Sequence, residues 1–343
     1  MNKSVGLVVD HRLLKHAIPR YSPENPSRIR KLSALVRERY RRECLFCQAR
    51  EAASADIEAV HSRFYLEQLR EYQLRSDPYS YDRDTYLMEY SLATAELAAG
   101  GCLELADRIM TGEVDHGFAI IRPPGHHAEP GRGTGFCIFN NVAITAKYLR
   151  RIYQLNRILI LDFDAHHGNG TQDVFYDTDE VLVISLHQRD IFPFTGKAVE
   201  TGTGKGEGYT VNVPVFAQFG DVEYTFLLGR ILQSVVEQYL PQIILVSAGY
   251  DGHRDETISG TTLTTEGFGL ITALLKQYAQ EFCEGRLLMV LEGGYNPVSL
   301  EASVIATIDS LLTSRREKIG VFFSERANQL LKDHPLHHRW TLQ

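Results

Sequence analysis

The sequence predicts a single α/β domain built on a central, mainly parallel β-sheet. Short apolar, β-branched runs recur along the chain, and most are continuous, which is typical of strands covered on both faces. Helical patterns lie between these runs, and such alternation favours parallel strands. No Pro/Ser-rich linker, composition break or internal repeat divides the 343 residues, so one domain is predicted over residues 1–343.

Each predicted strand is a short run rich in Val, Ile and Leu. In chain order the strands are Val5–Val9, Phe118–Ile121, Ile158–Phe163, Val181–Leu186, Tyr209–Val215, Ile243–Ala248 and Leu287–Leu291. Each predicted helix is a longer stretch in which apolar residues return at helical spacing. The helices are placed at about 86–111, 140–155, 221–239, 265–284 and 297–315. Residues from about 320 to 343 are predicted as a C-terminal helix and tail.

Composition excludes several classes of partner. An apolar fraction of 44% and a charged fraction of 23% are ordinary for a soluble globular protein. The formal net charge of −7 argues against a nucleic-acid partner, because phosphate binding calls for a basic surface. No apolar stretch approaches the roughly 18 residues of a membrane span. The first apolar run ends at Asp10, unlike a signal peptide, and no membrane partner is expected.

The five cysteines form an odd and sparse set, which indicates reduced thiols and a cytoplasmic location. Cys44 and Cys47 have the spacing of a redox or zinc pair. No second pair of this spacing exists to complete a structural zinc site. The surrounding Arg/Glu-rich pattern is helical, so both are predicted to be helix cysteines.

Four predicted strand ends carry unusual chemistry: RPPGHHAEPG, DFDAHHGNG, SAGYDGH and LEGGYN. Open α/β sheets bind their ligands beyond the carboxyl ends of the strands, so these segments predict an active site.

In DFDAHHGNG, alternate residues of an extended chain point to one side, which groups Asp162, Asp164 and His166. A carboxylate and an imidazole two residues apart suit zinc if one more ligand arrives, and Asp251 in SAGYDGH is the obvious supplier. Such ligands also accept manganese, iron or cobalt. Taken alone, the stretch fits an Asp-rich turn with a capping His equally well.

The pair His126-His127 favours the metal-site interpretation. Metal-assisted hydrolysis needs a base for the attacking water and an acid for the leaving amine, and two imidazoles can meet both needs. Asp162 and Asn169 are available to orient them. Tyr295 in LEGGYN could donate a hydrogen bond to a developing oxyanion. Among 17 tyrosines, a packing role would explain it as well.

The chain resembles the histone deacetylase family of the arginase/deacetylase fold, and within it the class II and bacterial amidohydrolase branch. The resemblance implies a three-layer αβα domain with about eight strands. The matching segments run in family order along nearly the whole chain: PENPSR, AVHSRFY, DRDTY, RPPGHHA, GTGFCIFNN, DFDAHHGNGTQDVFY, SLHQ, YTVNVP, SAGYDGH and LEGGYN.

The resemblance also implies roles for individual residues. Asp164, His166 and Asp251 match the zinc ligands, and Asp162 matches the partner of His126. His127 matches the general base and acid, Tyr295 the tyrosine that polarises the carbonyl. Phe136, Phe192 and Gly135 match the lining of an acyl-lysine tunnel, and Asp84 is similar to a rim residue that grips the substrate backbone. Two potassium sites are implied, one at Asp162, Asp164, His166, Ser185 and Leu186, the other at Phe175, Thr178, Val181 and Tyr209.

Two positions refine these expectations. Asn169 stands where class I relatives have Asp and is typical of class II. A neutral partner stabilises imidazolium less, so His127 is predicted to stay neutral as the base while His126 gives electrostatic support. Ile258 is apolar where polyamine-specific relatives carry an acidic gatekeeper, which favours acylated lysine over polyamine.

Together these observations predict a zinc-dependent deacylase that hydrolyses the amide of acetyl-lysine or another acyl-lysine. The alternative within enzymes is an acetylpolyamine amidohydrolase, and the alternative of another class is a catalytically silent acyl-lysine binding protein. The expected partner is an acylated lysine in a peptide or protein, or an acylated amine. The oligomeric state is left open, a homo-oligomer included.

Overall fold

The structure, a computed structural model, describes residues 4–18, 21–75, 78–313 and 320–342. Its strands are β1 Val5–Val9, β2 Leu45–Cys47, β3 Tyr79–Ser80, β4 Tyr86–Leu87, β5 His116–Ile120, β6 Ile158–Asp162, β7 Val181–Gln188, β8 Thr210–Val215, β9 Ile243–Ala248 and β10 Leu287–Leu291.

The helices alternate with most of these strands, as the sequence pattern predicts. They are α1 Ser27–Arg39, α2 Ser54–Ile57, α3 Arg63–Gln73, α4 Ser91–Met110, α5 Asn141–Tyr153, α6 Asn169–Phe175, α7 Asp221–Tyr239, α8 Thr265–Phe282, α9 Pro297–Leu312, α10 Glu325–Lys332 and α11 His337–Trp340. None of the helices in the described ranges is both long enough and apolar enough to cross a membrane.

Eight strands form one sheet in the order β2-β1-β5-β10-β9-β6-β7-β8. The pairings of β1 with β2 and β5, of β6 with β7 and β9, and of β7 with β8 are parallel. β3 and β4 form a separate antiparallel pair. Almost every residue of the sheet interior is buried, which explains why the strands read as continuous apolar runs. The predicted α/β class with a parallel sheet of eight strands is confirmed.

The described chain groups into two compact units. The first comprises Met1–Leu155, Gly168–Val174 and Leu288–Tyr295. Its long helix α4 approaches a neighbouring segment closely: a Cβ on Gly100 would lie 1.9 Å from the carbonyl oxygen of Arg50. Only glycine allows that approach, and it lets the backbone of Ala52 donate to the carbonyl of Glu96 at 3.0 Å.

The second unit comprises Asn156–His167, Phe175–Leu287 and Asn296–Gln343. The first residue of α7, Asp221, accepts hydrogen bonds from the backbone and hydroxyl of Thr264, the N-cap of α8, at 2.8 and 2.6 Å. This ties the starts of the two helices together. Near the C-terminus, the Trp340 indole donates to the carbonyl of Gly208 at 2.7 Å. In the segment predicted as a C-terminal helix and tail, the described residues include the helices α10 and α11, and Trp340 is buried.

Two local predictions are wrong. Cys44 and Cys47 do not lie on a helix, because α1 ends at Arg39 and Cys47 ends the short strand β2. Both are buried thiols outside any disulfide, as are Cys102, Cys137 and Cys283. Helix α4 begins at Ser91, not near 86, because Tyr86–Leu87 pairs with Tyr79–Ser80 as a strand. Part of the helix predicted at 297–315 lies outside the described residues; α9 ends at Leu312.

Candidate active site

The predicted metal ligands meet in the second unit. Asp164 and His166 follow β6, and Asp251 follows β9, its parallel neighbour. One ligand atom from each of the three lies within 4.8 Å of the others. His166 Nδ1 is 2.8 Å from Asp251 Oδ2 and 3.2 Å from Asp164 Oδ1. The register of two parallel strands thus brings together residues 85 positions apart.

Backbone amides hold both carboxylates in place. Asp251 Oδ1 accepts from the amide of Ala165, and Asp164 Oδ1 accepts from the amide of His166, each at 2.9 Å. A Cβ on Gly249 would lie 2.0 Å from Asp164 Oδ2, so this position has no room for a side chain. The backbone conformation after β6 therefore positions both carboxylates.

The two buried carboxylates of the triad favour the binding of a cation. Asp164 and Asp251 are 1% and 0% exposed. Burial, and then the charge of Asp164, raise the pKa of Asp251. Burial lowers the pKa of His166, but the carboxylates of Asp251 and Asp164 outweigh it and raise that pKa to about 10. The triad therefore retains a proton at neutral pH, which a metal ion would displace.

The donor set fits zinc. Two carboxylates and one imidazole provide three protein ligands, the number typical of catalytic zinc sites, in which water or substrate takes the fourth position. The same oxygen-rich set would also accept other divalent metals. Within the described ranges this is the one such cluster of potential ligands.

Asp162 and the predicted potassium ligands also lie in the second unit. Asp162 ends β6, and its Oδ1 accepts from the amide of Asp164 at 3.0 Å. Ser185 in β7 contacts His187 Nδ1 at 2.8 Å. The carbonyls of Phe175 and Tyr209 accept from the amides of Thr178 and Val183. The pairing of Asp162 with His126 and both potassium sites stay predictions.

The histidine pair belongs to the first unit and lies on the loop after β5. The His126 and His127 rings are 4.0 Å apart, and both side chains are buried. Glu292, which follows β10, accepts from the amides of Gly125 and His126 at 2.6 and 3.2 Å. This buried carboxylate fixes the histidine loop; it lies in the LEGGYN segment, in which the sequence indicated a role only for Tyr295.

Asn169, at the start of α6, contacts His127 as the sequence predicts. Its Oδ1 lies 2.8 Å from His127 Nδ1. Its amide Nδ2 donates to Glu129 Oε1 at 3.0 Å. Glu129 is a further residue that sequence reasoning missed, although it follows the histidines by only two positions.

Tyr295 ends the first unit, on the loop after β10. Its ring is 5.6 Å from the ring of Phe136, and the Arg28 guanidinium lies over it at 4.6 Å. Arg28 also donates to the carbonyls of Gly294 and Glu292, each at 2.6 Å. The loop that carries Tyr295 is thus bound to helix α1.

A buried ion network supports this loop. Glu24 accepts from the Arg122 guanidinium at 3.0 and 2.8 Å and from Arg28 at 3.2 Å. Burial raises the pKa of Glu24, but the two guanidinium groups outweigh it and lower the pKa to about 2. His16 lies 3.9 Å from Glu24, and burial together with Arg122 lowers its pKa to about 4.

The predicted substrate-binding residues of the first unit are Gly135, Phe136 and Asp84, and the first two form a strained turn. Gly135 and Phe136 have φ of 55° and 70°, so Phe136 adopts a backbone conformation rare for side chains with a Cβ. The amide of Phe136 donates to the Thr85 hydroxyl at 3.0 Å. The amide of Gly135 donates to Asp82 Oδ2 at 3.3 Å. Asp84 is exposed, and its own amide donates to Asp82. Asp82 is therefore the carboxylate fixed beside this turn.

The predicted substrate contacts of the second unit are Phe192 and Ile258. The ring of Phe192 is 6.4 Å from that of His166 and is 40% exposed, so an apolar surface adjoins the predicted metal ligands. Ile258 is half-buried in the segment after Asp251. Its neighbour Ser259 donates to the Asp251 carbonyl at 2.6 Å.

Comparison with known proteins identifies the family. A histone deacetylase domain model matches residues 22–311. The chain belongs to the histone deacetylase family. The histone deacetylase domain of HDA15, a crystal structure, aligns with 99% of this chain and 96% of its own, with a TM-score of 0.91 and 34% identity.

Curated relatives agree with this membership. The chain is 40% identical to a probable deacetylase of Archaeoglobus fulgidus, over 85% of this chain and 81% of that one. It is 37% identical to histone deacetylase 15 of Arabidopsis thaliana, over 92% of this chain but 58% of that one. With human histone deacetylase 9 the identity is 35%, over 92% and 35% of the two chains. Several relatives are thus much longer than the part that matches. The predicted deacetylase-type hydrolase is confirmed at the level of the family.

Proposed function

We propose that this protein is a zinc-dependent deacylase that hydrolyses the amide bond of an acylated lysine side chain. The observation that carries the proposal is the triad Asp164, His166 and Asp251, with its ligand atoms within 4.8 Å, in a histone deacetylase-family chain. Zinc held there would polarise the acyl carbonyl and lower the pKa of a water molecule.

His127 is proposed as the group that moves protons. The side-chain oxygen of Asn169 can only accept a hydrogen bond, so a neutral His127 carries its proton on Nδ1. Its Nε2 then has the lone pair that takes a proton from the attacking water. The same nitrogen returns a proton to the leaving lysine amine, which makes its departure favourable.

His126 and Tyr295 are proposed to stabilise charge. A His126 imidazolium, oriented by Asp162, would offset the negative charge that develops at the carbonyl. The Tyr295 hydroxyl would donate a hydrogen bond to that carbonyl oxygen. The Arg28 guanidinium, over the ring of Tyr295 and bonded to its loop, restricts where the phenol can point.

Substrate selection is proposed to rest on apolar contacts and one carboxylate. Phe136, Phe192 and Gly135 would contact the acyl-lysine stem, and Asp82 or Asp84 would accept hydrogen bonds from the substrate backbone. The apolar Ile258 gives a dicationic polyamine no counter-charge, which favours acyl-lysine in a peptide or protein. We also propose structural potassium at the two sites predicted from the sequence.

The test is a panel of acyl groups of increasing length on one lysine peptide, with added zinc, next to acetylputrescine and acetylspermidine. We expect turnover of acyl-lysine, inhibition by a hydroxamate, and a kcat/KM for polyamines at least tenfold lower. The reverse preference would identify an acetylpolyamine amidohydrolase. Peptide binding with no turnover of any substrate, and no zinc after mild purification, would indicate a silent acyl-lysine binding protein.

The cytoplasmic location is retained as part of the proposal. Its support is the set of five cysteines, all buried and none joined in a disulfide, which is typical of a reducing compartment. Fractionation of cells that produce the protein at native level would test it.

A further inference from the structure

The side chain of Asn169 is held at both ends. Its oxygen lies 2.8 Å from His127 Nδ1, and its nitrogen donates to Glu129 Oε1 at 3.0 Å. A carboxylate accepts hydrogen bonds and, when ionised, donates none. The contact with Glu129 therefore forces the NH₂ group of Asn169 toward Glu129 and the oxygen toward His127.

The orientation of this amide decides which nitrogen of His127 is basic. With the oxygen facing the ring, Nδ1 carries the proton and Nε2 the lone pair. If the amide rotated by half a turn, its NH₂ would face the ring, and Nδ1 would have to accept. The proton of neutral His127 would then move to Nε2, and that nitrogen could no longer act as a base.

Glu129 is itself positioned by its backbone and by Arg132. Its carbonyl lies 3.0 Å from His61 Nδ1, and its amide donates to the Arg132 carbonyl at 3.0 Å. The Arg132 guanidinium donates to both carboxylate oxygens at 2.9 and 3.0 Å. Arg132 is 64% exposed and Glu129 26%, so Glu129 is the more shielded of the pair.

We propose that Glu129 is a positioning residue for the reaction: it selects the Nδ1–H tautomer of His127 by orienting the Asn169 amide. This inference rests on the proposed function of His127 as the base. It also changes the role of Asn169, which acts as a neutral bridge between the imidazole and a carboxylate.

The first test compares Glu129→Ala and Glu129→Gln with wild type. In Glu129→Ala the amide loses the partner that orients it, and we expect kcat to fall about 10- to 100-fold with little change in KM. Glutamine offers an acceptor oxygen without the charge, so the kcat of Glu129→Gln should lie between those of wild type and Glu129→Ala. The matched control is Glu104→Ala, because Glu104 also pairs with an arginine and its side chain is 18% exposed. Unchanged kcat in Glu129→Ala would overturn the proposal.

The second test uses Asn169→Asp. An aspartate presents an oxygen to His127 in either orientation, so it needs no orienting partner. It would also place a second carboxylate where an amide now lies 3.0 Å from Glu129. We expect Glu129→Gln to lower kcat in the wild-type background and to raise it in the Asn169→Asp background. A merely structural Glu129 would change kcat in the same direction in both proteins, and that result would refute a role through the amide.

A third measurement does not depend on turnover. Long-range proton–nitrogen spectra of ¹⁵N-histidine-labelled protein report which ring nitrogen carries the proton, and the His127→Gln protein assigns the signal. We expect the Nδ1–H form in wild type and a shift toward the Nε2–H form in Glu129→Ala. A wild type without turnover would reject the proposed function, whereas an unchanged tautomer in Glu129→Ala would reject the role of Glu129.

Discussion

At the scale of single residues, Tyr295 offers the sharpest separation of binding from chemistry. The variant Tyr295→Phe removes only the hydroxyl and keeps the ring that contacts Phe136 and Arg28. We expect kcat to fall about 100- to 1,000-fold, the usual cost of losing one oxyanion donor, with KM within a few fold of wild type. Steady-state kinetics on an acyl-lysine peptide measures both. Loss of zinc in this variant would point to a structural role instead.

His166 makes a prediction about pH. The neighbouring carboxylates raise its pKa to about 10, so the metal-free triad holds a proton at neutral pH. Zinc must displace that proton, so its apparent affinity should strengthen as pH rises from 6 to 8, by up to about tenfold per unit for one proton released. Competition against a chelator of known affinity measures this change. A zinc affinity that weakens with rising pH would contradict the raised pKa of His166.

At the scale of structural elements, the end of β9 restricts the metal site through Gly249. An added Cβ there would overlap Asp164 Oδ2 at 2.0 Å, so Gly249→Ala should displace this ligand. We expect the purified variant to contain much less zinc than wild type. The control is Gly131→Ala, because a Cβ on Gly131 meets nothing within 4 Å. Equal zinc content in the two variants would show that the loop after β9 can move to make room for the added Cβ.

The segment before α1 makes a prediction about stability. Replacing Glu24 by Gln would leave the fully buried Arg122 guanidinium without its counter-charge, at a cost of about 3–5 kcal/mol in unfolding free energy. The pKa of Glu24 falls from 4.5 to about 2 on folding, so its contribution is present above pH 4.5 and lost as pH falls toward 2.

Urea unfolding at pH 7 and pH 3 tests this account. The difference in unfolding free energy between wild type and Glu24→Gln should be largest at pH 7 and should shrink at pH 3. A difference that is independent of pH would assign the effect to packing rather than to charge.

Whether the sequence predicts an element depends on what stabilises that element. Strands such as β6 and β9 are buried on both faces, so burial alone selects continuous apolar residues. β2 has three residues, pairs only with β1 in the described part of the chain and is partly exposed, so its pattern carries little signal. β4 is stabilised by its pairing with β3, and the helix predicted from about residue 86 concealed β4; β3 has only two residues, too few to give a strand pattern.

At the scale of the whole molecule, zinc should act as a stabilising ligand. Anything that binds the folded chain and not the unfolded one adds about 2.7 kcal/mol when its concentration is 100 times Kd. We therefore expect chelation to lower the thermal midpoint of wild type by several degrees, and added zinc to restore it. The His166→Ala protein should show neither change in scanning fluorimetry. A similar response in that variant would locate the effect away from the triad.

The sequence predicted the candidate metal ligands of the site but missed the carboxylates that support it. The predicted ligands Asp164 and Asp251 are visible in the sequence because they lie two and three residues after apolar strands. Supporting carboxylates are harder to predict because their partners are distant in sequence: Glu292 contacts a backbone amide 167 positions away, and Glu24 contacts Arg122, which is 98 positions away. Glu129 is close in sequence to the histidines, but only the orientation of an amide reveals its role. The single domain over 1–343 remains a prediction.

The hydrogen bonds from Ala165 and His166 to the carboxylates proposed to bind zinc have a consequence for how such a chain could change. Asp164 and Asp251 satisfy backbone amides of the loop they serve, so losing either would harm folding as well as metal binding. Tyr295 differs, because an exchange for phenylalanine would keep the ring against Phe136 and Arg28. A descendant that abandoned hydrolysis would therefore shed the phenol early and keep its aspartates. If Tyr295 has its proposed role, a retained tyrosine would be a better sign of a working enzyme than the retained aspartates.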